Sequence, residues 1–301
     1  MSRVGSAPAR GRRSDWLTTT VMTAPAVVVF AAMVVVPIVI SVYLSLTDWD
    51  GYSANPHLVG LANYASMFTD DEVITSAVVT LIVAVVGTLA LNLIGLGFAL
   101  LVNRSDRLSR LLRMLLFYPH VLSALVVGFL WGAILGTNGA VNQLVTAHGG
   151  EVLPFLSDPN WAVLALLAVL VWAGFGVNVL LYLAGLQTVS PELLEAARID
   201  GAGRWQVFRA VTAPALRPSV TLNVVLSLVT LLKTYDLVVS LTGGGPAGRT
   251  QTVAYLILWN SFHNSRLGAG SAQSVVLMVV TALLALSVVK LRQRGDLAAL
   301  R

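Results

Sequence analysis

The sequence is poor in charge and contains no cysteine. Only 11% of its 301 residues are charged, whereas a soluble domain carries about 25%, so a water-soluble globular domain is excluded. A disordered chain is excluded as well, because 56% of the residues are hydrophobic. The absence of cysteine rules out disulfide scaffolds, thiolate metal sites, iron–sulfur clusters and cysteine nucleophiles.

The residues that would mark an enzyme are also missing. The four histidines are scattered, without the paired spacing of a metal site, and no Gly-x-Ser-x-Gly elbow for a nucleophilic serine occurs. The only two lysines are Lys233 and Lys290. Neither follows a Gly-x-x-x-x-Gly run, so the chain has no phosphate-binding loop. We therefore expect a protein that is not an enzyme, hydrolyses no ATP itself and holds no metal or cofactor of its own.

Long apolar runs dominate the chain. A helix needs about 20 apolar residues to cross the hydrocarbon core, and six runs of near that length have interiors almost free of charge. They cover residues 17–45, 74–102, 114–135, 162–187, 219–241 and 268–290. The sequence thus predicts an all-α integral membrane protein with six transmembrane helices. The predicted parts are a basic tail at residues 1–16, a six-span domain over residues 17–290 and a second tail at residues 291–301.

The basic residues indicate the direction of the spans. Sixteen of the nineteen lie in the two tails and in the second and fourth connections, which share one side of the membrane if six spans separate them. Because lysine and arginine are enriched in cytoplasmic loops, both termini are predicted to be cytoplasmic, in a multi-pass protein of the plasma membrane. The first run is too long for the apolar part of a secretory signal, so an uncleaved span is expected. This bias also accounts for the net charge of +5, and no nucleic-acid partner is expected.

One cluster of ionisable groups lies inside a predicted span and consists of Lys233, Tyr235 and Asp236. Ionisable groups are costly to bury in a membrane, so their presence calls for an explanation. Lys233 and Asp236 are three residues apart, and on a helix they can neutralise each other. Two interpretations stay open: an internal ion pair near a helix end, or groups that line a polar cavity for a hydrophilic solute.

The fourth connection, residues 188–218, differs from the other loops. Ser190 suits the N-cap of a helix and Pro191 its first position, while Gly201 or Gly203 would end that helix. A second short helical stretch follows before the fifth span. The pattern predicts a capped helix–turn–helix on the cytoplasmic face. It is either a plain elbow between two spans or an element that docks in a groove on a partner.

This connection also carries a family motif. Glu195-Ala196-Ala197, followed by Asp200-Gly201 and by Val211-Thr212-Ala213-Pro214, resembles the EAA loop in permeases of binding-protein-dependent ABC importers. Further segments, in the same order along the chain, look like those of the carbohydrate-uptake subgroup: Gly60-Leu61-Ala62-Asn63-Tyr64, Tyr118-Pro119 with Trp131, and Leu241-Thr242-Gly243-Gly244-Gly245-Pro246. The resemblance covers nearly the whole chain and is best with the MalF/UgpA-like side of that subgroup.

The resemblance implies the type I importer permease fold, with a cytoplasmic coupling helix, and import of a sugar, polyol or sugar derivative. Such a permease lies in membrane lipid and pairs with a second homologous permease. The pair sits on two ATPase subunits, which bind ATP and Mg, and receives solute from an extracytoplasmic binding protein. Carried over to this chain, Glu195 would pair with a basic residue of the ATPase. Ala196, Ala197, Asp200 and Gly201 would shape the fit.

The resemblance further implies a solute route near the bilayer midplane, between the two permeases. The candidates for that route are groups able to bind or stack against a sugar: Trp172, Asn178, Lys233, Tyr235 and Asp236. Trp172 and Asn178 could equally pack helices together. Two other functions stay open from the residues alone. One is an ion-coupled carrier acting by itself, disfavoured because the spans lack a proton relay; the other is a membrane scaffold without transport.

Overall fold

The computed structural model describes the backbone of residues 11–299 and the side chains of residues 19–292. The first ten residues of the predicted basic tail and the last two residues of the chain lie outside this part. Within it the regular secondary structure is helical, and the one β-bridge is an isolated antiparallel bridge between Thr47 and Leu58. The prediction of an all-α protein is confirmed.

The helices follow one another with short connections. In chain order they are α1 (Gly11–Phe30), α2 (Val36–Leu44), α3 (Ala62–Ser66), α4 (Asp71–Val102), α5 (Arg107–Val121), α6 (Ala124–Leu135), α7 (Ala140–Ala147), α8 (Pro159–Leu186), α9 (Pro191–Ile199), α10 (Arg204–Val207), α11 (Ala213–Ala215), α12 (Arg217–Leu232), α13 (Asp236–Leu241), α14 (Val253–Leu258) and α15 (Leu267–Ala299). Three π-helical turns, Ala31–Val35, Phe208–Thr212 and Trp259–His263, join α1 to α2, join α10 to α11 and extend α14.

Five helices of the described part are long and apolar enough to cross a membrane. They are Thr19–Leu44, Asp71–Val102, Ala124–Ala147, Pro159–Leu186 and Leu267–Arg292. A sixth span is formed if the bent pair Arg204–Ala215 and Arg217–Leu232, which meets at 65°, is counted as one. The count of five or six agrees with the six helices expected from the sequence.

The third predicted span, residues 114–135, is interrupted. α5 ends at Val121, the next residue but one after Pro119, which has no N–H to donate to the preceding turn. Leu122 is extended (ψ 143°), and α6 starts afresh at Ala124. The long apolar run is therefore two helices, and the break at Leu122 follows Pro119, which lies in the last turn of α5.

The fifth predicted span, residues 219–241, is broken as well. α12 ends at Leu232, and the backbone departs from helical dihedrals at Lys233 (φ −101°, ψ 11°) and at Tyr235 (φ −132°, ψ −54°) before α13 begins. The carbonyl of Thr234 accepts a hydrogen bond from the hydroxyl of Thr252 at 2.6 Å. This side-chain bond replaces the helical bond that a continuous helix would make.

The centre of the molecule is the packing of α4, α8 and α12. Val83 of α4 and Leu166 of α8 are fully buried there. Glycines let the backbones approach: a Cβ atom added at Gly95 would lie 2.6 Å from the Cβ of Asn178. Small residues at helix contacts are the usual means of packing in a membrane, because lipid supplies no hydrophobic force between helices.

The end of the bundle where α2 ends and α15 begins is called the distal end, because it lies opposite α9. Asn63 donates hydrogen bonds to the carbonyls of Ser45 (2.9 Å) and Thr47 (2.8 Å), which α2 leaves free. The hydroxyls of Tyr64 and Ser45 are 2.7 Å apart, and Gly60 turns with φ +62°. The Gly-Leu-x-Asn-Tyr segment thus closes the end of the first span.

Candidate functional site

α9 is the short helix expected in the fourth connection, and both of its ends are capped. The hydroxyl of Ser190 accepts a hydrogen bond from the N–H of Leu193 at 3.4 Å and donates one to the carboxylate of Glu192. The second bond lowers the pKa of Glu192 below its ordinary value. After the helix Gly201 adopts φ +78°, a left-handed conformation that side chains disfavour. Of the two glycines expected to end the helix, Gly201 does so.

One side of α9 and of the turn that follows it is uncovered. Glu195, Ala196 and Asp200 are exposed, and within the described residues neither carboxylate takes part in an ion pair. Ile199 is 85% exposed and Trp205 is 70% exposed. Large apolar side chains left in the open beside carboxylates mark an interaction surface. This α9 surface is defined by Leu193, Glu195, Ala196, Ile199, Asp200, Gly201 and Trp205.

The other side of α9 faces the bundle. Leu194 and Arg198 line a cavity of about 470 Å³ with Leu100 of α4 and with Phe208. Ala197 is half-buried. Of the three motif residues at 195–197, two therefore point outward and one lies against the protein.

α9 is tied firmly to the spans on either side of it. Val189 precedes it at 8% exposure, and Leu216 follows it at 1%. Leu216 belongs to a buried cluster with residues from the ends of α4 and α8. Gly185 of α8 lies so close to Ser219 of α12 that a Cβ atom there would collide with the serine side chain. A force on α9 therefore reaches α4, α8 and α12 together.

Trp172, a candidate for the solute route, lies between α6 and α8. Its ring meets that of Trp131 edge to face, with centroids 5.4 Å apart. The two rings line an apolar cavity of about 430 Å³ together with Phe155 and Trp161. This surrounding is suited to an apolar group and offers few hydrogen-bond partners to a sugar.

Asn178, another candidate, is buried at 5% exposure. Its side-chain amide donates to the hydroxyl of Ser227 of α12 at 2.9 Å. One turn further along α8, the hydroxyl of Tyr182 donates to the side-chain oxygen of Asn92 of α4 at 2.6 Å. The two bonds connect the three central helices, so the position of Asn178 favours helix packing over contact with a solute.

Lys233 and Asp236 do not form the ion pair that their spacing allows on a helix. Within the described residues the single ionic contact joins His57 to Asp48 at 3.3 Å. The ion pair was one of two interpretations that the sequence left open; it does not form because α12 ends at Leu232, so a separation of three residues no longer places the two side chains on one helical face. Both are exposed.

The five route candidates are not gathered in one place. Lys233 lines a groove between α12 and α15 with Ser274 and Thr281. Tyr235 lines a different cavity, of about 780 Å³, whose walls include Tyr255 and Trp259. Of Lys233, Tyr235 and Asp236, Tyr235 is therefore the residue that lines the larger of these two cavities.

An aromatic row was not anticipated from the sequence. Tyr255, Trp259 and His263 follow one another at intervals of four residues along α14 and the π-helical turn. Their spacing is a helical one, so the sequence held a signal for their alignment. The fourth ring, that of Tyr235, comes from the break after α12 and could not be placed beside them by spacing.

Comparison with known proteins identifies a family and close relatives in sequence. Residues 91–294 match the family described as binding-protein-dependent transport system inner membrane component. The probable starch degradation products transport system permease protein AmyD of Thermoanaerobacterium thermosulfurigenes is 30% identical over 91% of this chain and 93% of its own length. The sulfoquinovosyl glycerol transport system permease protein SmoG of Agrobacterium fabrum is 32% identical over 89% of this chain and 87% of its own.

The fold has a counterpart among solved structures. A crystal structure of a bacterial alginate ABC transporter, in complex with an alginate pentasaccharide-bound periplasmic protein, contains a similar chain. The TM-score is 0.81 at 21% identity, over 94% of this chain and 96% of that one. At this identity the likeness establishes the fold, and the expected ABC importer permease fold is confirmed.

Proposed function

The chain belongs to the family of binding-protein-dependent transport system inner membrane components, and we propose that it is the permease of an ATP-driven importer for a sugar or sugar derivative. This proposal rests on the uncovered α9 surface. A transport subunit that has no phosphate-binding loop does not hydrolyse ATP itself, so it needs a surface on which a separate ATPase docks. The names of the relatives, for starch degradation products and sulfoquinovosyl glycerol, support the class of solute.

In this proposal α9 is the coupling helix. Glu195 pairs with a basic residue in a groove on the ATPase, the small side chain of Ala196 permits close approach, and Ile199 supplies apolar contact. Asp200 and Gly201 fix the end of the helix in the groove. Because Leu216 anchors the helix to the bundle, closure of the ATPase moves α4, α8 and α12 as a body.

The proposed assembly contains two ATPase subunits, a second homologous permease and an extracytoplasmic solute-binding protein. ATP and Mg are bound by the ATPase subunits. The excess of arginine in the connection that contains α9 supports a cytoplasmic position for this helix and for both termini. A carrier that works alone by ion coupling, or a scaffold without transport, is not favoured, since the family is dependent on a binding protein.

The proposal is tested by reversing the charge of the α9 surface. We expect Glu195→Lys to insert normally but to lose the ATPase on purification, and to reduce ATP-driven uptake by about two orders of magnitude, as when one partner of an interfacial charge pair is lost. Glu151→Lys, an exposed carboxylate in the loop before α8, is the matched control and should behave as wild type. Normal uptake by Glu195→Lys, with the ATPase still bound, would refute the coupling role.

A further inference from the structure

The cavity behind α9 is lined by two arginines and is called the arginine cavity. Arg198 comes from α9 and Arg204 from α10, while Leu100 near the end of α4 and Leu186 at the end of α8 form the wall toward the bundle. Its volume of about 470 Å³ lies within the range of about 300–1,000 Å³ typical of ligand pockets. The cavity therefore joins the short helices of the fourth connection to the ends of two long helices.

The charge of this cavity is positive and uncompensated. Among the described residues, neither the Arg198 nor the Arg204 guanidinium takes part in a hydrogen bond or an ion pair. None of the described residues that line the cavity is acidic. Of the carboxylates on α9, that of Glu192 accepts a hydrogen bond from Ser190, and that of Glu195 lies on the α9 surface. A concave site lined by charge of one sign attracts ions of the opposite sign.

Arg113 of α5 shows what an arginine with a structural role does at this end of the bundle. Its guanidinium donates to the carbonyl of Val102 at 2.8 Å and 3.1 Å and to that of Arg104 at 2.8 Å. These bonds satisfy carbonyls at the end of α4, which have no partner within the helix. Arg198 and Arg204 make no such bonds and are exposed, so their donors are available to a ligand.

The position of Arg204 also calls for an anion. It is the first residue of α10, directly after the N-cap Gly203. The N-terminus of a helix is the positive end of its dipole, where a cation is unfavourable. Arg198 lies in the last turn of α9, where a cation is favourable. The enrichment of arginine in cytoplasmic connections explains why this connection is basic, but it does not explain an arginine at the start of α10 beside a cavity.

The remaining walls favour a phosphate ester over a bare inorganic anion. A guanidinium binds phosphate oxygens through two parallel N–H donors. The side-chain amide of Asn103, which also lines the cavity, can donate to or accept from a hydroxyl group. Leu194 and Val207 add apolar surface. Inorganic phosphate would leave that surface in water, whereas the organic part of an ester covers it.

We infer that the arginine cavity is a binding site for a phosphate ester, with Arg198 and Arg204 on the phosphate and Asn103 on a hydroxyl of the organic part. The inference goes beyond the proposed function and does not rest on it. The ligand touches α9, α10 and the end of α4 at once, so it fastens the fourth connection to α4. The α9 surface lies on the other side of the helix, which leaves it free for a docked partner.

Two sources can supply this ester, because the cavity lies at the ends of the long apolar helices α4 and α8. One is a phosphorylated sugar in solution and the other is the headgroup of a phospholipid. The test uses the full-length chain with the subunits that co-purify with it. In the first arm, nanodiscs of phosphatidylcholine are titrated with glucose 6-phosphate by calorimetry. In the second arm, phosphatidylglycerol is added to the nanodiscs, and native mass spectrometry counts the molecules retained.

We expect saturable binding by the wild type in one arm, which identifies the source. Arg204→Gln should weaken this binding about ten- to hundredfold, because a charge-assisted hydrogen bond is lost. Arg204→Lys should lose less, since it keeps the charge without the two parallel donors. Arg198→Gln should behave like Arg204→Gln and decides the test if that variant does not fold. Binding should also slow hydrogen exchange over residues 190–207 in the wild type.

Arg209→Gln is the matched control. It removes the same charge from the same connection, but Arg209 is exposed and does not line the cavity, so its binding should equal that of wild type. Equal weakening by Arg204→Gln and Arg209→Gln would overturn the inference, by showing attraction to a basic surface in general. Absence of binding by the wild type in both arms would overturn it as well. Either result leaves the proposed function intact, because that is decided by Glu195→Lys.

Discussion

The two ends of the bundle expose different chemistry. The α9 surface offers carboxylates and aliphatic groups on a short, capped helix, which suits a groove on another protein. The aromatic row, formed by Tyr235, Tyr255, Trp259 and His263, stacks its rings against one another beside a cavity of about 780 Å³. Between the two ends lie α4, α8 and α12, joined by the hydrogen bonds of Asn178 to Ser227 and of Tyr182 to Asn92.

The two ends also differ in how the chain assembles them. The α9 surface comes from a single stretch of about a dozen residues and needs the rest of the chain only as an anchor. The aromatic row is assembled from two segments, brought together by the bond from Thr252 to Thr234 and by the contact of Tyr255 with Gly243. A substitution at one end should therefore impair that end alone, whereas a substitution in the core should impair both ends.

The largest effect is expected in the core, where both ends depend on the same helices. Gly95→Leu forces a side chain against Asn178, since even a Cβ atom would lie 2.6 Å from that residue. We expect a loss of about 3 kcal/mol or more, with failure of both ATPase binding and uptake. Gly97→Leu is the control, because nothing lies within 4 Å of a Cβ atom there. Thermal unfolding in detergent measures the difference; equal stabilities would contradict the close packing of α4 on α8.

The next effect is confined to the α9 surface. Gly201→Val places a branched side chain at φ +78°, which costs about 1–2 kcal/mol, although no neighbour lies within 4 Å. We expect weaker retention of the ATPase and several-fold slower uptake. Gly201→Asn should restore much of both, because asparagine tolerates the left-handed conformation. Equal behaviour of the two variants would show that this turn does not position α9.

A smaller effect is expected at the aromatic row alone. Tyr255→Phe keeps the ring but removes the hydrogen bond to Gly243, worth about 1 kcal/mol. The melting temperature in detergent should fall by about 2 °C, while the ATPase co-purifies as in wild type. A loss of ATPase binding in this variant would break the separation between the two ends.

The smallest effect concerns Lys233 and Asp236. A buried ion pair would make Asp236→Ala more harmful than the double change Lys233→Met with Asp236→Leu, because the single change strands a charge. Since the two side chains are exposed and unpaired in this structure, we expect an interaction energy below about 0.5 kcal/mol in a double-mutant cycle. A larger value would restore the ion pair, one of the two interpretations that the sequence leaves open.

The sequence predicts local features of the molecule well. Hydropathy alone indicates the apolar helices, and Ser190 and Gly201 delimit α9 because capping depends on residues next to each other. Breaks within apolar runs are harder to predict. The break at Leu122 comes three residues after a proline, a local signal, but the end of α12 involves Thr252, eighteen residues away from Thr234.

The candidate site shows the same limit. The exposure of Glu195 and Ala196 follows from a short amphipathic helix. The hydrogen bonding of the Asn178 side chain, by contrast, depends on Ser227 of another helix. Tyr255 and Trp259 have helical spacing, which a sequence reveals. The sequence near Tyr235 gives no signal that its ring lies beside them. Whether a side chain faces a solute or packs against another helix depends on contacts between residues far apart in the chain. Amino-acid composition carries no information on those contacts.

The most direct test of the central claim is a photo-cross-link from the α9 surface. The chain has no cysteine, so Ala196→Cys creates a single site for a benzophenone maleimide, and wild type in the same complex gives the background. Ala54→Cys, equally an exposed alanine but at the distal end, is the control. The account predicts a cross-link to the ATPase subunit from position 196 and none from position 54. Absence of that product from position 196, in a complex that still transports, would contradict it.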